Sequence, residues 1–272
     1  MMKVFISADM EGVAGVVHQE HTARDGREHD RARELMTKEV NAAVEGALEA
    51  GASEILVNDS HGTMRNIIPE LLHSEAEYII GSPKMLAMME GIDESFDAVI
   101  LLGHHARMGQ PGILNHSYSG RVVRNIRING TDYGEIGMNA LIAGNFHVPT
   151  VLVTGCQHAA NEASELIPSI ETAIVKETVN RVTARNLTPE KSQARIKQKV
   201  ISALEKRSEI KPFNIEGPYN VELSYLHSGF ADTAEVLPIV ERINGDTHRF
   251  QSDDYITAFR YIRSLISLAS SN

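Results

Sequence analysis

Asp97-Ala98-Val99-Ile100-Leu101-Leu102-Gly103-His104-His105 is an apolar run that ends on a glycine and two histidines. It predicts a buried β-strand over residues 97–103 whose C-terminal end delivers imidazole. The same theme precedes it twice. Residues 3–8 (Lys3-Val4-Phe5-Ile6-Ser7-Ala8) read as a strand that runs into Asp9-Met10-Glu11, and residues 53–58 as one that runs into Asp59-Ser60-His61-Gly62. Between them Met36, Val40, Val44 and Ala47 recur at helical spacing over residues 25–50, with Gly51 placed to end the helix. Strand, loop and helix in alternation predict a three-layer α/β fold built on a doubly wound, mostly parallel sheet.

The pattern continues outward. Residues 77–80 predict a weaker strand and residues 84–90 a short Met-rich helix of packing material. Residues 121–133 alternate around Asn129-Gly130, a hairpin insertion, followed by a helix over 135–146 and a buried strand over 149–155. Beyond them lie a strand at 172–175, a helix capped by Thr188-Pro189-Glu190 and running to about residue 207, a strand at 220–225, and a helix over 252–269 striped by Ile256, Phe259, Ile262 and Ile266. A soft boundary near residues 180–188 divides a metal-hydrolase core, residues 1–185, from a smaller C-terminal α/β portion, residues 186–272, either separate or continuous with it.

Composition narrows the function. The chain has 272 residues, 42% apolar, ample for a buried core. Its net charge of −10 and its aromatic content of 5% without Trp argue against a nucleic-acid partner. No apolar stretch approaches the ~20 residues of a membrane span. Met1-Met2-Lys3 leads straight into the first strand without a signal-peptide pattern, and Cys156 is the only cysteine, so a cytoplasmic location is expected. With 12 histidines and one thiol, any metal here is held by imidazole and carboxylate.

Asp9 and Glu11 stand two apart after the first strand, so both carboxylates can face one point, as a hard divalent cation requires; a solvated strand end has the same string. His61 and the His104-His105 pair follow the second strand and the 97–103 strand. Each alone is compatible with a surface loop. Together they bring metal-ligand types from three strands to one sheet edge, where open α/β sheets bind ligands. Glu135 opens the helix after the hairpin between Gly134 and Gly137, as a ligand or as a first-turn acid favoured by the helix dipole. His116, in Asn115-His116-Ser117, is a candidate proton shuttle over the same crevice. His18-Gln19-Glu20-His21 lacks the zincin order and reads as surface. Glu11-Gly12-Val13-Ala14-Gly15 lacks the lysine of a phosphate loop, and no Gly-x-Ser-x-Gly elbow occurs.

With these residues in view, the chain resembles the DppA-type D-aminopeptidases, zinc peptidases that release N-terminal D-residues such as D-alanine from short peptides. The likeness spans nearly the whole length. It is carried in order by Ser7-Ala8-Asp9-Met10-Glu11-Gly12, Val57-Asn58-Asp59-Ser60-His61, Gly103-His104-His105-Ala106, Asn115-His116-Ser117 and Gly134-Glu135-Ile136-Gly137-Met138-Asn139-Ala140. The resemblance implies two Zn2+ per chain held by Asp9, Glu11, His61, His105 and Glu135, with His116 as the catalytic residue. It also implies a ring-shaped homo-oligomer, a decamer with its sites facing an internal channel. Two positions depart from the family pattern: His104 stands where relatives carry an aromatic, and Cys156-Gln157 where they tend to place acids, which bears on specificity.

In the mechanism so implied, Asp9 bridges the ions, Glu11 and His105 complete one shell, and His61 and Glu135 the other. Water held between two such ions has its pKa lowered toward neutrality and attacks the amide as a bridging hydroxide. His116 lies outside both shells and stabilises the oxyanion or passes a proton to the leaving amine. Two rivals share the ligand set: a dinuclear phosphoesterase, and a metal-dependent peptide-binding protein without turnover.

Overall fold

The computed structural model describes residues 1–271. In chain order its elements are β1 (Met2–Ala8), α1 (Gln19–Thr22), α2 (His29–Glu49), β2 (Ala52–Asp59), β3 (Glu77–Ile79), β4 (Ala98–His104), β5 (Val123–Ile128) and β6 (Thr131–Asp132). They continue with α3 (Glu135–Asn145), β7 (Thr150–Cys156), α4 (Gln157–Leu166), β8 (Glu171–Asn180), β9 (Thr183–Asn186) and α5 (Pro189–Glu205). The last are β10 (Tyr219–Tyr225), α6 (Ser228–Ala234), β11 (Glu241–Asn244), β12 (Thr247–Ser252) and α7 (Tyr255–Ala269).

The larger sheet runs β3-β2-β1-β4-β7-β8-β9, parallel except for β9. β1, β4 and β7 are apolar along nearly their whole length and buried, as strands covered on both faces must be. α2 packs with α5 on one side and α3 with α4 on the other, which makes the three expected layers. Strand order reverses between β1 and β4, because β2 and β3 lie to one side and β7 and β8 to the other. Such a reversal opens a crevice at the C-terminal strand ends.

The hairpin expected around Asn129-Gly130 is present as β5 and β6, and both turn residues have positive φ, as a type I′ turn demands. It does not stand alone. β5 pairs with β10, and the second sheet runs β11-β12-β10-β5-β6, antiparallel throughout. The boundary placed at residues 180–188 falls on the β8–β9 edge of the first sheet. α5, beyond that edge, lies on α2, while β5, before it, pairs with β10. α7 lies across α3 and the second sheet, where the Tyr255 hydroxyl donates to the Met138 carbonyl (2.9 Å).

The Met-rich helix expected at 84–90 is instead one 3-10 turn, Ala87–Met89. Ala87 takes φ +48°, and the carbonyls an α-helix would use are captured from outside. Asn58 Nδ2 donates to Ala87 O (3.1 Å) and Ser7 Oγ to Met88 O (2.8 Å). α2 starts at His29 rather than residue 25, and α7 at Tyr255, where Asp254 caps Thr257 N. No helix among the described residues is long and apolar enough to cross a membrane.

Candidate metal centre

Strand register sets the site. Ala8 pairs with Asp59 on one side and Leu102 on the other, so the loops beginning at Asp9, Ser60 and Gly103 leave the sheet on one rung. The ladder extends one step beyond the strands: Asp9 N donates to Leu102 O and Ser60 N to Ala8 O, both at 2.8 Å. Gly103 is required there. Its φ is +69°, and a Cβ would lie 2.2 Å from Asp9 O.

Onto this rung come the predicted ligands, all buried: Asp9, Glu11, His61, His105 and Glu135. His61 Nδ1 lies 3.2 Å from Asp9 Oδ1 and 3.0 Å from Glu11 Oε2. His105 Nε2 lies 3.5 Å from Asp9 Oδ2 and 3.6 Å from Glu135 Oε2. Asp9 stands between the two imidazoles. His104 turns away: its Nδ1 meets Leu102 O (3.2 Å) and its Nε2 meets Asn139 Nδ2 (3.3 Å).

His116 stacks on His105, with centroids 4.2 Å apart and planes 14° apart, and its Nε2 lies 3.8 Å from Glu135 Oε1. Ligand atoms of Asp9, Glu11 and His105 fall within 4.8 Å of one another, the trio expected around one ion. A second such trio is His105, His116 and Glu135. His61, expected to join Glu135, leans instead between Asp9 and Glu11.

Hydrogen bonding fixes which nitrogens face the acids. His105 Nδ1 is 3.0 Å from Ala106 O and His61 Nε2 is 2.9 Å from Thr22 O; a carbonyl accepts only, so each of these nitrogens carries the proton. The opposite nitrogen of each neutral ring then points a lone pair at carboxylate oxygens, which are also acceptors. Asp9 Oδ2 and His105 Nε2 are buried with no hydrogen-bond partner among the described residues. Acceptor facing acceptor in a buried place calls for a cation, and this oxygen and nitrogen donor set fits zinc.

Without a metal, the same deficit of positive charge draws protons onto the rings. Burial is the largest influence on each group, and with the neighbouring Glu11 charge it raises Asp9 to about 6. At Glu11 and Glu135 burial is outweighed: His61 holds Glu11 well below the usual carboxylate range, and His105 holds Glu135 at about 2. The acids in turn overcome burial to hold His61 and His105 well above the ordinary imidazole value. A proton on each ring thus performs, for one unit of charge, the neutralising task a divalent ion performs for two. His116 is lowered, by burial and then by the His105 charge, and its Nδ1 is 2.9 Å from Leu114 O.

Other residues hold the loops in place. Asp59 accepts from Asn66 Nδ2 (2.8 Å) and Ile67 N (2.7 Å), and Asn66 Nδ2 also donates to His61 O (2.7 Å). Tyr118 N donates to Glu135 Oε1 (2.6 Å). The run read as surface is so at His18, Gln19 and Glu20, but His21 is buried against Glu28, and the α1 turn supplies the Thr22 carbonyl that orients His61. Lys176 is fully buried on β8. Its ammonium donates to the carbonyls of Glu11 (2.5 Å), Val13 (2.8 Å) and Val16 (2.6 Å), clamping the loop after β1 from behind. Nearby, Glu39 accepts from Ala14 N (3.0 Å) and from the Ser192 hydroxyl. Cys156 is buried at the end of β7 and Gln157 pairs with the Thr178 backbone; neither lines the cleft over the centre. That cleft, about 100 Å³, is walled by Asp9, His61, His116, Tyr118, Glu135 and Arg263.

The D-aminopeptidase family, peptidase family M55, matches residues 2–264. A D-aminopeptidase of Bacillus subtilis (strain 168) is 36% identical over 269 residues, 98% of each chain. The solved structure of the Zn-dependent D-aminopeptidase DppA from Bacillus subtilis, described as a self-compartmentalizing protease, superposes with a TM-score of 0.97, covering 100% of this chain and 99% of that one. The chain is therefore a metallo-peptidase and belongs to the M55 family of D-aminopeptidases.

Proposed function

We propose that this enzyme is a zinc-dependent aminopeptidase that releases N-terminal D-residues, D-alanine among them, from short peptides. The carrying observation is the pair of buried, partnerless acceptors, Asp9 Oδ2 and His105 Nε2, at the strand-order reversal. Asp9, Glu11, His61, His105 and Glu135 would hold two zinc ions, with Asp9 shared. Zinc, when bound, supplies Lewis acidity that lowers the pKa of water toward neutrality and polarises a carbonyl.

The chain's own groups do the rest. Glu135 is fixed by Tyr118 N, and the His61 and His105 tautomers by Thr22 O and Ala106 O, so the nitrogen that each ring turns toward the acids is set in advance. His116 gives its Nδ1 proton to Leu114 O, which leaves Nε2, without a hydrogen bond among the described residues, as the basic nitrogen. It takes up a proton at that nitrogen and passes it to the leaving amine.

One assay tests this: release of D-alanine from D-alanyl-D-alanine, beside L-alanyl-L-alanine and a phosphate ester, with and without chelator. D-selective release abolished by chelation supports the reading; ester hydrolysis alone favours a phosphoesterase, and zinc-dependent binding without release a peptide-binding protein. In the same assay His116→Ala keeps its zinc and loses roughly 100-fold or more in kcat; an unchanged kcat removes His116 from the mechanism. A decameric ring, in the cytoplasm, is part of the same proposal. Its support is the likeness to a self-compartmentalizing relative and the exposed apolar side chains Val179, Val182, Leu226, Val236 and Ile243; a monomeric mass in solution would overturn it.

A further inference from the structure

A second cavity, about 830 Å³, opens beside the metal cleft and shares Gly62, Met64 and Arg263 with it. In a chain of net charge −10, its wall carries Lys84, Arg260 and Arg263 and no acidic side chain. The Lys84 ammonium is engaged by Asn58 Oδ1 (2.6 Å) and Asp59 O (2.8 Å). Arg263 is different. It is half-buried on α7, its Cζ lies 4.8 Å from the centroid of the Tyr118 ring, and its guanidinium has no hydrogen bond or ion pair among the described residues.

That isolation is informative. Three buried carboxylates, Asp9, Glu11 and Glu135, belong to the adjoining centre, yet none is paired with this arginine. The Tyr118 ring supports the guanidinium plane and leaves its fork of donors unoccupied. A planar fork of this kind suits bidentate recognition of a carboxylate. In a dipeptide the terminal carboxylate lies one residue, about 3.5 Å of extended chain, past the scissile amide. An anchor on the wall of the metal cleft itself therefore matches a dipeptide, and a longer chain would carry its carboxylate out into the larger cavity.

We propose that Arg263 receives the free α-carboxylate of the substrate, which makes this enzyme select dipeptides by their terminal charge. This inference rests on the peptidase reading above. The test compares kcat/KM for D-alanyl-D-alanine and D-alanyl-D-alaninamide in wild type, Arg263→Gln and Arg263→Lys, with zinc content measured in each. Wild type prefers the free acid at least tenfold. Arg263→Gln lowers the acid-to-amide ratio by about 10- to 100-fold, chiefly through KM on the acid, and Arg263→Lys restores part of it. A wild-type ratio near one overturns the proposal without any variant, and so does an Arg263→Gln enzyme that loses both substrates alike. Hydrolysis of neither peptide by zinc-loaded wild type instead overturns the peptidase reading, and this inference with it.

Discussion

The loop of residues 9–16 is buried between two polar clusters that have opposite characters. On its front, Asp9 and Glu11 face His61 and His105, and the cluster ends in acceptors that meet acceptors, with Asp9 Oδ2 and His105 Nε2 left without partners. On its back, the carbonyls of Glu11, Val13 and Val16 converge on one donor, Lys176, while Ala14 N meets Glu39. Both clusters are buried and both contain charge. The back is closer to closed, since the Ala14 amide and the three carbonyls have their complements and only Glu39 Oε2 lacks one among the described residues, and so it serves stability. The front is incomplete, and incompleteness in a buried place marks a binding function. The contrast also explains why the two sit back to back: an open cluster of repelling carboxylates stays in place only if the backbone bearing it is held from the other side.

Three measurements can break or sharpen that contrast. The largest effect is expected from Asp9→Ala, which removes the group common to both imidazoles. Zinc per chain falls toward zero by metal analysis, and kcat/KM falls by more than the ~10–100-fold typical of losing a partner behind a ligand. Metal-free Asp9→Ala loses the Oδ1 contacts to Met10 N and His61 Nδ1 but also removes a buried carboxylate whose Oδ2 has no partner, so it melts close to metal-free wild type; retention of both ions and full turnover would take Asp9 out of the centre.

Lys176→Met acts on the closed side. It strips three buried carbonyls of their donor, and a loss of about 4 kcal/mol in denaturant unfolding is expected. A loss below ~1 kcal/mol would mean that the loop finds other donors and is not clamped from behind.

Glu39→Gln is the finest probe, because it keeps the hydrogen-bonding shape and deletes only the charge. Burial raises the Glu39 carboxyl from 4.5 to about 7. A folded-state value above the unfolded one means that the native protein holds this proton more tightly. Its contribution is thus fully present below pH 4.5 and is lost as pH rises toward 7. The variant, which cannot ionise, should gain on wild type across that window by roughly 3 kcal/mol at most. A stability difference that is flat from pH 4 to pH 8 would show that Glu39 is ionised or solvated throughout.

Much of the front was legible in the sequence because its signals are local. A strand that stops at Asp-x-Glu, and two others that stop at histidine, announce ligand-bearing loops, and parallel topology carries them to one edge. The back was not legible. Lys176 follows Ala173-Ile174-Val175, and a lysine after such a run reads as the end of a strand, so residues 172–175 stood for what is β8, Glu171–Asn180. Its partners lie 160 to 165 residues away and depend on β8 register, which no local pattern encodes. His21 failed for a similar reason, since its polar neighbours masked a residue buried against Glu28. The 84–90 segment has helical composition, but its carbonyls are claimed by Ser7 and Asn58, residues remote in sequence.

The shared rung at Ala8, Asp59 and Leu102 bears on how a cation would be taken up. Three stretches of chain that spring from adjacent, hydrogen-bonded strands move only as the sheet moves, so the mould into which a cation drops is of fixed width before it arrives. Loading would then resemble filling a socket rather than closing a fist, with preference among cations set by radius and softness rather than by adaptation of the protein.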